Sequence, residues 1–261
     1  MSNRLKAGLS YRNPLPDAGL LIAMGVWAGV SHINKFGRNP SIASGASEDV
    51  WDGSATYVFP ATALMTRLSQ TTNQAALLGE TIEIQGLDAN WEASTEQINL
   101  DGVNTTTAVV LVTPLIRVNR MEIQSSVVAD STVRLHNTAE NQDYAVIVAG
   151  NQQTSMAVYT VPLGKTAYME NYYATVNPGG GAPTTMDIKL WTKDNGNGYA
   201  KKLKHEVGLD LDANNHILQD FHPYKKFTEK TDIFLEATTV GATADVSGGF
   251  DLILVDTDLY T

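Results

Sequence analysis

The sequence contains no cysteine in its 261 residues. That absence excludes disulfides, thiolate zinc sites and cysteine nucleophiles together, and leaves packing, oligomerisation or metal to stabilise the chain. Charge is scarce as well: Asp, Glu, Lys and Arg make up 18% of the residues, against about 25% in an average soluble domain. Acidic residues number 28 and basic ones 18, a formal net charge of −10. A negative field repels phosphate backbones and anionic lipid, so neither nucleic acid nor membrane is an expected partner. Long hydrophobic runs are missing too. The most apolar stretch, AGLLIAMGVWAGV at 18–30, has 13 residues, whereas spanning a bilayer takes about 20. It has neither the basic flank nor the small-residue cleavage site of a secretory signal, and is expected to pack against protein.

In place of charge the chain carries Thr, Asn, Ala, Val and Gly, which suit β surfaces, tight turns and surfaces covered by another subunit. Hydrophobic residues, at 43%, suffice for one large core or two modest ones. From Trp51 onward short runs rich in β-branched and aromatic residues recur, many with period-2 alternation: 56–59, 81–85, 107–112 and 116–123, then 133–135, 144–148, 156–161 and 165–176. Further runs lie at 186–191, 201–207, 217–221, 232–237 and 250–255. Clusters of Gly, Asn, Asp and Pro punctuate them, as at 177–181, 194–198 and 247–249. The alternation in 116–123 breaks phase at Met121, which suggests a bulge or a strand edge. Helix has two candidates, 18–30 and, more weakly, 61–68.

The expected fold class is therefore all-β: a jelly-roll or β-sandwich body, read as two sandwiches, preceded by an extended N-terminal arm. The expected units are an arm at 1–50, a β-sandwich at 51–150 and a jelly-roll-like domain at 151–261, with a soft boundary near Gly150. Pro14, Pro16 and Pro40 break the first segment, which is why it reads as an arm. The alternative is a first strand plus loops of the main body.

Several partial motifs fail on their own chemistry. Leu163-Gly164-Lys165-Thr166 resembles the end of a phosphate loop, but position 159 is Tyr where that loop needs Gly, and strands are expected on both sides. His205-Glu206 starts like a zinc-protease helix, yet position 209 is Leu instead of the second His. Asp210, Asp212 and Asn214 alternate like the opening of a calcium loop, but position 215 is Asn in place of Gly and position 221 is Phe in place of Glu. No nucleophile elbow is present. The expectation is a protein without catalytic residues, metal or cofactor. Tyr172, Tyr173, Trp191, Phe221, Tyr224 and Phe227 are expected to fill a core, with a sugar-binding groove as the alternative.

Seven segments carry a resemblance. They are HINKFGRNP at 32–40, EDVWDG at 48–53, YVFP at 57–60, IQGLDANW at 84–91, IRVNRM at 116–121, YTVPLGKT at 159–166 and GFDLILV at 249–255. Together they resemble a group of tailed-phage virion structural proteins. The resemblance implies a virion component assembled in the host cytoplasm, with no catalytic residue to carry over. Within that class the expected role is a capsid decoration (cement) protein, a homotrimer that binds the major capsid protein. The alternatives are a neck, collar or tail component, a carbohydrate-binding receptor module, or a virion-borne glycan hydrolase. The expected partner-binding residues are Leu20, Leu21, Ile22, Met24, Val26, Trp27, Val30, Phe36 and Arg38. In this reading the apolar run docks on another molecule, with Gly37 as a hinge that takes φ > 0 to aim it.

Overall fold

The computed structural model describes residues 17–260 apart from 54, 179–183, 199 and 213. Residues 1–16 of the expected arm, with Pro14 and Pro16, lie outside the described residues, as do 179–181 of the expected 177–181 turn. Strand accounts for 58% of the chain and helix for 5%, so the all-β expectation holds. A short helix, α1 (Ala18–Ala23), opens the described chain. The strands that follow are β1 (Val30–Ile42), β2 (Ser47–Asp49), β3 (Met65–Gln70), β4 (Thr81–Asp88), β5 (Ala93–Asn99), β6 (Val109–Ile123), β7 (Val133–His136) and β8 (Asp143–Ile147). After these come β9 (Val158–Thr160), β10 (Lys165–Pro178), β11 (Thr185–Asp194), β12 (Lys201–Asp210), β13 (His216–Phe227), β14 (Thr231–Val240) and β15 (Ala244–Asp256). Every ladder between them is antiparallel.

Two sheets make a sandwich. Sheet I has the order β1-β15-β10-β13; sheet II has the order β12-β11-β14-β2, and β9 also pairs with β14. Alternation sends Met186, Ile188 and Leu190 of β11 inward, against Met169, Tyr172, Phe250 and Leu252 of sheet I. Such inward alternate positions from two facing sheets are what a sandwich core requires. Sheet III, β5-β4-β6-β3-β7-β8, forms a second body around its own core of Leu68, Ile82, Ile84, Met121, Leu135 and Ile147.

The topology corrects the expected division of the chain. Residues 30–50 are no arm: β1 lies along β15 from Val30↔Val255 to Ile42↔Ala244, and β2 pairs with β14. The sandwich thus consists of 30–49 together with 158–256, and sheet III is an insertion between β2 and β9. The chain leaves and re-enters side by side, through a bridge between Trp51 and Met156. Pro40 does not break β1 because it falls in the register shift between Asn39 and Ile42, where no ladder bond is lost.

Gly37 is not a hinge. It sits mid-strand, where the backbone of 50 and 157 passes against β1. A Cβ there would stand 2.2 Å from the Ala157 nitrogen and 2.3 Å from the Val50 carbonyl oxygen. Glycine is required by close approach, not by a positive φ.

Smaller differences have equally local causes. The weak helix at 61–68 is replaced by β3, since pairing with β6 and β7 overrides propensity. The runs 107–112 and 116–123 are one strand, β6, because Pro114 lies in a register shift of the β3 ladder between Val110 and Leu115. The phase break is a bulge at Asn119, between the pairs Gln85↔Arg120 and Gly86↔Val118. Residues 56–59 pair with no strand; their aromatic rings serve the junction described next.

Candidate functional site

Residues of the segments at 48–53, 57–60, 84–91, 116–121 and 159–166 meet where the insertion joins the sandwich, whereas 249–255 runs within sheet I. β14 is buried on both faces: Ile233, Leu235 and Ala237 point into the sandwich core, while Asp232, Phe234 and Glu236 face the insertion. Arg117 of β6, 1% exposed, reaches Asp232, 0% exposed. Its Nε donates to Oδ1 at 2.7 Å and its Nη2 to Oδ2 at 3.0 Å. Nη1 donates to the carbonyl oxygens of Pro60 (2.6 Å) and Ile116 (2.7 Å). The guanidinium also lies 4.8 Å from the Trp91 ring centroid and 5.3 Å from that of Phe59. Thr160 Oγ1 and Asn195 Nδ2 donate the remaining bonds to Asp232, at 2.7 and 3.1 Å. A buried pair with this many donors offsets its desolvation. Beside it Trp51, Tyr57 and Phe59 stack edge to face at 4.7–5.1 Å, and Phe234 packs tilted by 48° on Phe59 at 5.1 Å. These contacts make a structural junction between the two bodies.

Several titratable groups at the junction are held away from their ordinary ranges, Asp49 and Lys35 among them. Burial pushes the Asp49 carboxyl up to about 7, against the hydrogen bond that Tyr57 N donates to it. Burial, and then the charge of Arg120, bring the Lys35 ammonium down to about 7; its Nζ donates to the Asn119 carbonyl oxygen.

The structure divides the nine expected partner-binding residues into two groups. Leu20, Leu21, Ile22, Met24, Val26, Trp27 and Val30 lie at one end of sheet I. Asp17 caps α1 by accepting a hydrogen bond from Gly19 N at 2.6 Å, and α1 packs against β1. Of the seven, Ile22 is buried and Leu21, Val26 and Val30 are half-buried. Leu20 is 53% exposed, Met24 65% and Trp27 43%, and Leu259 beside them is 46% exposed. Val26, Trp27, Val30 and Leu259 line one shallow depression, and Tyr168, Tyr224, Ile253 and Val255 line another. Val30 pairs with Val255, and Ile253 with Tyr168, so the two depressions continue into one apolar strip on the outer face of sheet I. Phe36 and Arg38 lie about 20 Å further along β1. They face a different feature, the cleft between sheet I and the insertion.

The partial motifs fall into ordinary places. Lys165 begins β10 after a turn at Gly164 and pairs with Asp256. His205 lies on β12, where its Nδ1 shares a hydrogen bond of 2.8 Å with Tyr172 Oη. Asp210 ends β12, pairing with Thr185, and Asp212 lies in the turn towards β13; Ala213 lies outside the described residues. Among the described residues no three His, Asp or Glu side chains converge as a metal site. Of the six aromatic residues, Tyr172, Phe221 and Phe227 are buried in the sandwich core and Trp191 packs against the insertion core; Tyr173 and Tyr224 reach the surface. No helix among the described residues is long and apolar enough to cross a membrane.

Sequence reasoning missed Arg117, Asp232 and Leu259. Arg117 stands at what an alternating strand presents as its wet face, so only the both-faces burial of β14 reveals it. Leu259 carries no periodic signal.

No family model matches the chain, and no curated protein matches it. Among solved structures it is similar to the infectious bursal disease virus VP2 subviral particle, at 10% identity and a TM-score of 0.25, covering 98% of this chain and 77% of that one. It is also similar to T=1 particles derived from infectious bursal virus, at 12% identity and a TM-score of 0.19, covering 87% and 69%. Both neighbours are viral capsid structures, and at these values the likeness carries no argument about function.

Proposed function

We propose that the chain is a structural protein of a tailed-phage virion, and specifically a decoration protein that forms a homotrimer on the outer shell. The observation that carries this reading is the apolar strip at the end of sheet I. Leu20, Met24, Trp27, Leu259 and Tyr224 are large apolar or aromatic side chains left close to half exposed or more. Soluble monomers rarely keep such a contiguous patch without a partner. Covering the exposed half of each side chain is worth about 1 kcal/mol apiece before ordering costs. The occupant that fits is a neighbouring subunit of the shell, because large apolar side chains dominate the patch, with His32 and Lys226 at the edges of the row through Ile253 and Tyr168. The low overall charge of the chain and the segments resembling phage virion proteins support the same reading.

The test is particle incorporation of Met24→Asp and Trp27→Asp. Met24 is mostly exposed, so its change should leave the melting temperature of the free protein unaltered. Trp27 is more than half covered, so its variant is compared at a temperature where the free protein is shown to be folded. Each should reduce the amount of the protein that co-sediments with particles. Normal incorporation of both variants counts against the strip as the contact. A neck or tail position is the competing place within the particle, and the copy number per particle separates the two.

A further inference from the structure

Phe36 and Arg38 lie outside the apolar strip, in a cleft of about 500 Å³ between the outer face of sheet I and the insertion. Ligand sites commonly have volumes of about 300–1,000 Å³. The cleft has an aromatic floor, an amide-rich wall and a charged end, and each of these has a structural cause.

The floor is one cross-strand row. Phe36 of β1 and Tyr173 of β10 both pair with Gly249 of β15, one from each side. A Cβ on Gly249 would lie 2.1 Å from the Lys35 carbonyl oxygen and 2.6 Å from Tyr173 Oη. Glycine there leaves room for the end of the Tyr173 ring and its hydroxyl, which lie over the strand. Phe36 is 38% exposed. The facing wall is Asn151, Gln152, Gln153 and Ser155. Gln152 is fixed by donating from Nε2 to the carbonyl oxygens of Ser125 (3.2 Å) and Val127 (3.3 Å). At the end of the cleft Arg38 donates to Asp245, from Nε at 3.0 Å to Oδ1 and from Nη2 at 2.6 Å to Oδ2. Beside them Asp52 holds Oδ2 buried without a hydrogen-bond partner, and burial raises its carboxyl to about 6.

We infer that this cleft binds a neutral glycan, with Phe36 and Tyr173 as the surface on which sugar rings stack. Aromatic faces take the C–H face of a pyranose, and side-chain amides both donate to and accept from hydroxyls. Charge selects against other ligands. Asp52 and Asp245 together outweigh Arg38, so phosphate, sulfate and acidic sugars are repelled, and the polar wall disfavours a purely apolar guest. Floor and wall come from different bodies, so the Arg117 junction also holds the cleft open at a fixed width. This inference does not rest on the virion reading.

The experiment is ligand titration by saturation-transfer NMR and calorimetry on the full chain. The neutral probes are maltotriose, cellotriose, laminaritriose, mannotriose and chitotriose; 3′-sialyllactose and inorganic phosphate are the charged ones. Saturable binding of at least one neutral probe is expected, weakened about tenfold or more by Phe36→Ala and by Tyr173→Ala. Phe36→Leu, which keeps the apolar packing and removes the ring, should show the same loss. Val112→Ala, on the insertion away from the cleft, should bind as the unaltered protein does. The inference is overturned if no neutral probe saturates in the millimolar range, if only the charged probes bind, or if the ring variants keep full affinity.

Discussion

Replacing Arg117 tests the account of how the two β bodies are joined. Arg117→Ala removes both bonds to Asp232, strands the carbonyl oxygens of Pro60 and Ile116, and takes away the cation over Trp91 and Phe59. It leaves Asp232, fully buried, with Thr160 and Asn195 as its remaining donors. Removing one partner of a buried pair costs about 3–5 kcal/mol. Two further acceptors are orphaned here, while the Lys193 charge still acts on Asp232 and offsets part of the loss. The assay is urea unfolding followed by tryptophan fluorescence, since Trp51, Trp91 and Trp191 surround the junction. The loss should appear as a lower midpoint at an unchanged slope. Combining Arg117→Met with Asp232→Asn should cost less than the sum of the single changes, because the double variant leaves no lone charge. A loss below about 1 kcal/mol for Arg117→Ala, or strict additivity in the pair, would refute the reasoning.

Three further outcomes are expected. Asp49 binds a proton in the native state between about pH 4 and 7 that the unfolded chain has already lost, so its contribution to stability falls as pH rises through that window. Lys35 is neutral in the native state and charged in the unfolded one between about pH 7 and 10, so its contribution rises there. Together they give a shallow minimum near pH 7; urea midpoints at pH 5, 7 and 9 check it, and Asp49→Asn should flatten the acid limb, which is worth at most about 4 kcal/mol. Gly37→Ala puts a methyl against the backbone at 50 and 157 and should leave little soluble protein, whereas Gly45→Ala, with open space around it, should express normally despite its φ of 78°. Deleting residues 1–28 removes α1 and, among the described residues, no strand, so the truncated chain should keep its β circular dichroism and melt within a few degrees of the full chain, while losing its place in the oligomer.

Where hydropathy coincides with burial, the sequence is readable. β4, β7, β8, β10, β11, β14 and β15 all announce themselves by alternation or by β-branched runs between turn residues. β1 does not, and the reason is chemical. Its buried face carries Lys35, Gly37 and Asn39, each held by a specific partner, while Phe36 points outward. The hydropathy pattern is inverted, so the strand reads as a broken arm. β14 has the opposite problem: Asp232 and Glu236 sit on a face that looks wet in the sequence and is covered by the insertion. No local pattern encodes a cover that comes from a hundred residues away. The apolar run at 18–30 could be read as a surface in need of a partner; that Tyr168, Tyr224, Ile253 and Leu259 extend it depends on sheet I, which only the topology reveals.

The central claim is that this chain is a stoichiometric shell component held through its apolar strip. The most direct measurement is quantitative gel densitometry of purified particles against the major capsid protein, comparing the full chain with the Trp27→Asp variant. The account predicts copies in a fixed ratio to the shell's three-fold positions for the full chain and a sharp loss for the variant. Absence of the full chain from washed particles, or its retention at equal copy number in the variant, would contradict it.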